Sequence, residues 1–153
     1  VALLLRKDFG PDDFARLHPG GALGRKLTLR IRDVMVTGEE APRIGPAEPM
    51  RRCVVLLAEK RGTVPVIDAE ERVLGVVTAG DLTRVMERRE DVFDIPVEEV
   101  MTRSPKTTGP DVLGAAAVYQ MEEKGIMALP VIDEDHRLLG IVHLHDLMRA
   151  GAV

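Results

Sequence analysis

The sequence predicts an α/β fold of the α+β type: two β-α-β-β-α repeats related by pseudo-twofold symmetry, their small sheets flanked by helices. Three observations predict it. Val64-Pro65-Val66-Ile67-Asp68 returns as Leu129-Pro130-Val131-Ile132-Asp133, Leu74-Gly75-Val76-Val77 returns as Leu139-Gly140-Ile141-Val142, and Asp81-Leu82 returns as Asp146-Leu147. These matches keep one register, whereas Asp33-Val34-Met35 and Glu99-Val100-Met101 lie one residue out of it, which predicts a single insertion or deletion between the first halves. A unit present only twice is a duplicated domain rather than a solenoid, which needs about three or more units. The cleft between the copies is then the natural place for a ligand.

Each copy parses into the same elements. A short leading segment from Ile31 and a proline-containing loop precede a helix near Ala47 to Lys60, in which Met50, Cys53, Val54 and Leu57 recur at helical spacing. Its counterpart begins near Pro110 or Asp111 and carries Leu113, Ala116, Ala117, Tyr119 and Met121. Gly62 and Gly125 follow at positions expected for left-handed C-caps. Thr63 to Ile67 and Val73 to Val77 are β-branched and apolar, and the polar turn Asp68-Ala69-Glu70-Glu71 separates them. Leu129 to Ile132, the turn Asp133-Glu134-Asp135-His136 and Leu138 to Val142 repeat the arrangement. Continuous apolar strands beside helices imply a sheet covered on at least one face.

The first 26 residues read differently. Asp12 or Asp13 can cap a short helix after Pro11, Gly20-Gly21 breaks it, and the whole reads as tail plus linker. Val1 opens the chain without a methionine and leads straight into Ala2-Leu3-Leu4-Leu5, as expected of a piece cut from a longer protein.

Composition narrows the classes of function. A hydrophobic fraction of 45% and a charged fraction of 30% describe a globular domain and not a disordered one. No apolar run reaches the roughly 20 residues of a membrane span, so no membrane partner is expected. A net charge of −4 and a pI near 5.6 argue against nonspecific nucleic-acid binding, which needs clustered Lys and Arg. One cysteine excludes an internal disulfide and fits a reducing cytoplasm; Cys53 lies on the apolar helix stripe as a structural thiol.

These repeated motifs resemble the cystathionine-beta-synthase (CBS) domain, and the tandem pair resembles the regulatory Bateman module over roughly Ile31 to Ala150. Narrower likeness comes from the flanks. His18-Pro19-Gly20-Gly21-Ala22-Leu23-Gly24-Arg25-Lys26-Leu27 and His143-Leu144-His145-Asp146-Leu147-Met148-Arg149-Ala150-Gly151 are similar to the arabinose 5-phosphate isomerase family, which joins a sugar isomerase (SIS) domain to a C-terminal CBS pair and supplies Kdo for lipopolysaccharide. The resemblance implies that residues 1–26 are a remnant of the SIS domain and linker, 27–90 the first CBS repeat and 91–153 the second. It also implies a parent that is an aldose-ketose isomerase and a fragment that is inactive alone. His18 is the catalytic candidate for that parent, acting in ring opening or proton transfer within a site whose other residues are absent here.

In CBS domains the stretch Gly75 to Asp81 corresponds to a nucleotide-contacting motif. The chemistry is reasonable in itself: a carboxylate at a helix start can accept two hydrogen bonds from ribose hydroxyls, while Thr78 and nearby amides donate to phosphate. Thr78 and Asp81 can equally be a strand end and a plain helix cap. The second copy departs from the pattern, with His143 for Thr78 and His145 for Gly80 ahead of Asp146. Those histidines can bond an anion, cap the helix, or share a strand face as a metal pair; with no third ligand, no metal site is expected. The resemblance places Val34, Met35, Val100 and Met101 along the cleft, where they sandwich a base or simply fill the core.

The expected function is therefore regulatory. No cofactor is required, and the candidate ligands are CMP-Kdo, the activated end-product sugar, or AMP or ATP. The expected partners are the SIS domain of the same parent chain and further copies, as a dimer of CBS pairs in a tetrameric parent. The alternative is a structural oligomerisation module that binds no small molecule.

Overall fold

The computed structural model describes residues 21–153. The expected helix after Pro11 and His18 lie outside the described residues. Five α-helices are described: α1 (Ala22–Thr28), α2 (Met50–Glu59), α3 (Ala79–Met86), α4 (Gly114–Lys124) and α5 (Leu144–Arg149). Strands β1 (Thr63–Ile67), β2 (Val73–Thr78) and the two-residue β3 (Thr102–Arg103) form one sheet in the order β1-β2-β3; β4 (Ala128–Ile132) and β5 (Leu138–His143) form a second. The α+β class and the duplicated pattern of the sequence are thus those of the structure. The segment read as linker is helical from Ala22, and α2 and α4 begin about three residues later than the periodicity predicted.

Both late starts have one cause. Pro49 and Leu113 stand at the N-caps without a side-chain acceptor, so the first helical amides need carbonyls from elsewhere. Met50 N donates to Ile95 O at 2.9 Å and Arg51 N to Phe93 O at 3.0 Å. Gly114 N donates to Leu29 O at 2.7 Å. The leading backbone of one copy therefore caps the first helix of the other.

That exchange continues along the chain. Ile31 N and Arg32 N donate to Val112 O and Pro110 O, just as Val97 N and Glu98 N donate to Glu48 O and Pro46 O. Val36 pairs with Ile141 of β5, and β3 pairs with Gly75 and Val76 of β2. The Leu-Gly motif acquires its reason here. A Cβ on Gly75 would lie 2.6 Å from Thr102 O, and one on Gly140 would be closer still to Val36 O, so only glycine lets the crossing strand approach. The equivalences Ile31 to Val97, Pro46 to Pro110 and Val73 to Leu138 differ by 66, 64 and 65 positions. One insertion or deletion cannot produce three offsets. The loop ahead of α2 is two residues longer than that ahead of α4, and α4 is one residue longer than α2.

The described chain divides into two compact units, residues 21–35, 108–129 and 142–153 in one, and 36–107 and 130–141 in the other. The second has a core of Ile44, Met50, Cys53, Leu57, Val64, Val66, Val77, Ile95, Val97 and Met101. Burying a side chain such as Met50, fully enclosed here, contributes about 2 kcal/mol. In the first unit α4 packs on α1 and α5, and Ile31, Val118, Met121 and Leu147 are fully buried. Gly125 closes α4 in the left-handed conformation; after α2 that conformation falls on Arg61 as well as Gly62.

The two hairpin turns are alike. Asp68 Oδ1 accepts from Glu70 N and Arg72 N, and Asp133 Oδ1 from Asp135 N and Arg137 N, all at 2.9 Å. The aspartate of the Pro-Val-Ile-Asp strand is thus a turn-former.

Candidate functional site: the helix starts at Asp81 and Asp146

β2 ends at Thr78 and α3 begins one residue on, so the chain turns sharply where the repeated Asp-Leu stands. Thr78 is the N-cap of α3 and Asp81 its third residue, and together they form a capping box. Asp81 N donates to Thr78 Oγ1 at 3.2 Å, while Asp81 Oδ2 accepts from Thr78 N at 2.9 Å and from Thr78 Oγ1 at 3.0 Å. The other oxygen, Oδ1, accepts from Arg84 Nη2 at 2.6 Å and Thr102 Oγ1 at 3.2 Å. The Asp81 side chain is only 8% exposed. Such a carboxylate needs these charge-assisted bonds to offset its desolvation.

The sequence reading did not single out Arg84 or Thr102. Arg84 was visible as an i,i+3 partner of Asp81. Thr102 was not, because it reaches Asp81 only through the pairing of β3 with β2. Of the other candidates in this unit, Met101 is buried in the core and Val100 packs against it. A Cβ on Gly75 would also meet Met101 Sδ at 2.9 Å.

The second copy builds its corner differently. His143 ends β5 and occupies the N-cap of α5 without a side-chain capping bond; it is buried, and its Nδ1 lies 3.9 Å from Asp146 Oδ2. α5 starts at Leu144, so His145 is on the helix and exposed. The two histidines therefore do not share a strand face, and no group of three or more potential metal ligands occurs among the described residues. Val34 and Met35 follow the 3-10 turn Ile31–Asp33 in the same unit and are half-buried. Cys53 is fully buried, and burial pushes its thiol up to about 11.

Two open depressions, of about 120 and 480 Å3, flank Arg43. None of the predicted site residues lines either one.

Duplicated hairpins closed by exchanged leading segments, each followed by an acidic helix start, define a module of two paired repeats. The CBS domain family matches residues 31–88 and 97–153, and the chain belongs to that family. Arabinose 5-phosphate isomerase KdsD of Yersinia pestis is 44% identical over 154 aligned positions, covering 100% of this chain and 47% of that protein. The chain thus spans about half the length of the curated relatives it matches. Among solved structures, the CBS domain pair of protein MJ0100 in complex with 5′-methylthioadenosine and S-adenosyl-L-methionine has a TM-score of 0.71 at 20% identity, over 80% of this chain and 94% of that one. CBSX2 of Arabidopsis thaliana in complex with AMP has a TM-score of 0.68 at 25% identity, over 79% and 94%. No helix among the described residues is long and apolar enough to cross a membrane.

Proposed function

We propose that this chain is the regulatory, nucleotide-sensing CBS pair of a D-arabinose 5-phosphate isomerase. The observation that carries the reading is the 44% identity to KdsD running through the whole chain, flanks included. The parent interconverts D-ribulose 5-phosphate and D-arabinose 5-phosphate for Kdo synthesis in the cytoplasm. It uses His18 with residues of its SIS domain, and this part alone does not catalyse. Thr78 and Asp81 in one copy, and His143, His145 and Asp146 in the other, are the polar ligand candidates; Val34, Met35, Val100 and Met101 are the apolar ones. CMP-Kdo is the feedback ligand and AMP or ATP the rival; either regulates through unequal affinity for active and inactive arrangements.

Isothermal titration of the chain with CMP-Kdo and with AMP, beside Asp81→Ala and Asp146→Ala, tests this. Saturable binding lost in either variant supports sensing; absence of binding by both ligands overturns it. A second reading, assembly of the parent through its CBS pair, is favoured by the exposure of Tyr119 (70%) and Met127 (60%). A concentration-dependent mass that no nucleotide alters would support it.

A further inference from the structure

Asp81 is held by more than a helix cap requires. The capping box uses Oδ2 alone, through the amide and hydroxyl of Thr78. Oδ1 is taken by two further donors of different origin. One is the guanidinium of Arg84, one helical turn away, whose side chain is 63% exposed. The other is the hydroxyl of Thr102, which arrives on the leading segment of the other copy and is itself exposed. Two donors converging on one oxygen of a buried carboxylate are what a vicinal diol would supply. The second copy has other side chains at these places: Val36 crosses Gly140 as Thr102 crosses Gly75, and His143 stands where the first copy has Thr78.

Resting on the nucleotide-sensing reading, we infer that Arg84 and Thr102 form an internal latch on Asp81 Oδ1, a stand-in for ligand that the ribose hydroxyls of a nucleotide must displace. Three consequences follow from the bonds. A ligand at the first copy competes with its own protein for Asp81 Oδ1. Displacement needs a cis-diol, since a single hydroxyl replaces one donor and leaves a desolvated carboxylate under-bonded. Exchange also frees Thr102, and with it the side-chain tie between α3 and the two-residue β3, so occupancy is transmitted to the segment that crosses between copies.

The experiment is titration of AMP and 2′-deoxy-AMP into the chain and into Arg84→Gln, Thr102→Val, the double variant, Asp81→Asn and Asp146→Ala, each checked by thermal melting. The latch predicts at least about tenfold tighter AMP binding in the double variant, in line with losing one charge-assisted and one neutral hydrogen bond. It also predicts that the gain vanishes on adding Asp81→Asn and is absent for 2′-deoxy-AMP. Should the double variant melt early, Arg84→Gln alone, at an exposed side chain, carries the same prediction. AMP binding that depends on Asp81 or Asp146 yet is not tightened by releasing Arg84 and Thr102 overturns the latch and leaves sensing intact. Absence of binding by every variant overturns both.

Discussion

The corners at Asp81 and Asp146 occupy the same place in two copies of one unit, and they are built by different chemistry. At Asp81 a threonine closes the capping box, and both carboxylate oxygens are engaged. At Asp146 a buried histidine stands in the cap position with no side-chain capping bond, and the carboxylate is 21% exposed against 8% for Asp81. Duplication supplied the same backbone twice, and divergence at two or three side chains gave the two corners different chemistry. Function in a duplicated fold resides in such differences, because the shared hydrogen bonds are already assigned to holding the copies together.

The largest effects test what the corners share. Alanine at Gly75 or Gly140 forces a Cβ into the carbonyl of the crossing strand, which is backbone and can yield only by unpairing. Each substitution is expected to cost about 3 kcal/mol, Gly140→Ala the more, read as a fall in urea midpoint at unchanged slope. A tolerant response at one glycine alone would show that the exchange of leading segments is not reciprocal.

Next comes the difference itself. Asp81→Ala removes a cap and strands the Thr78 amide, so a loss of about 2 kcal/mol is expected, with about half of that for Asp146→Ala. Equal losses in chemical denaturation would erase the contrast. The converse is constructive: His143→Thr installs the capping pair of the first copy in the second and should stabilise by about 1 kcal/mol, while Thr78→His should cost a similar amount.

The legible and illegible parts of the molecule divide along the same line. Helical spacing of Met50, Cys53 and Leu57 placed α2 on its core, and β-branched runs placed all four hairpin strands, because these depend on neighbours in sequence. The partners of the leading segments were not legible, since Ile31 to Val112 and Met50 to Ile95 are backbone bonds with no side-chain signature. Thr78 and Asp81 were legible as a corner, and the i,i+3 spacing held a signal for Arg84 that the sequence reading passed over. Thr102 required knowing which strand lies beside β2. The shared strand face for His143 and His145 failed because α5 begins at Leu144, immediately after β5.

The smallest effect comes from a region where the copies agree, which makes it the control for the rest. Glu71 and His136 hold φ of 66° and 67°, left-handed values at the last position of each hairpin turn, where side chains with a Cβ are strained by about 1 kcal/mol. Both turns are already fixed by their aspartates, Asp68 and Asp133, so neither residue is needed to shape the loop. Glycine relieves the strain but gives the unfolded chain more freedom, which returns part of the gain. A net stabilisation of about 0.5 kcal/mol is expected for either substitution, with Glu71→Gly slightly below His136→Gly because it also gives up the ion pair with Arg43, 3.3 Å away and partly exposed. Matched gains in thermal melting would show that the copies remain interchangeable at their turns, and would confine their divergence to the helix starts. Gains of opposite sign would instead place a second difference at the turns, outside the two corners.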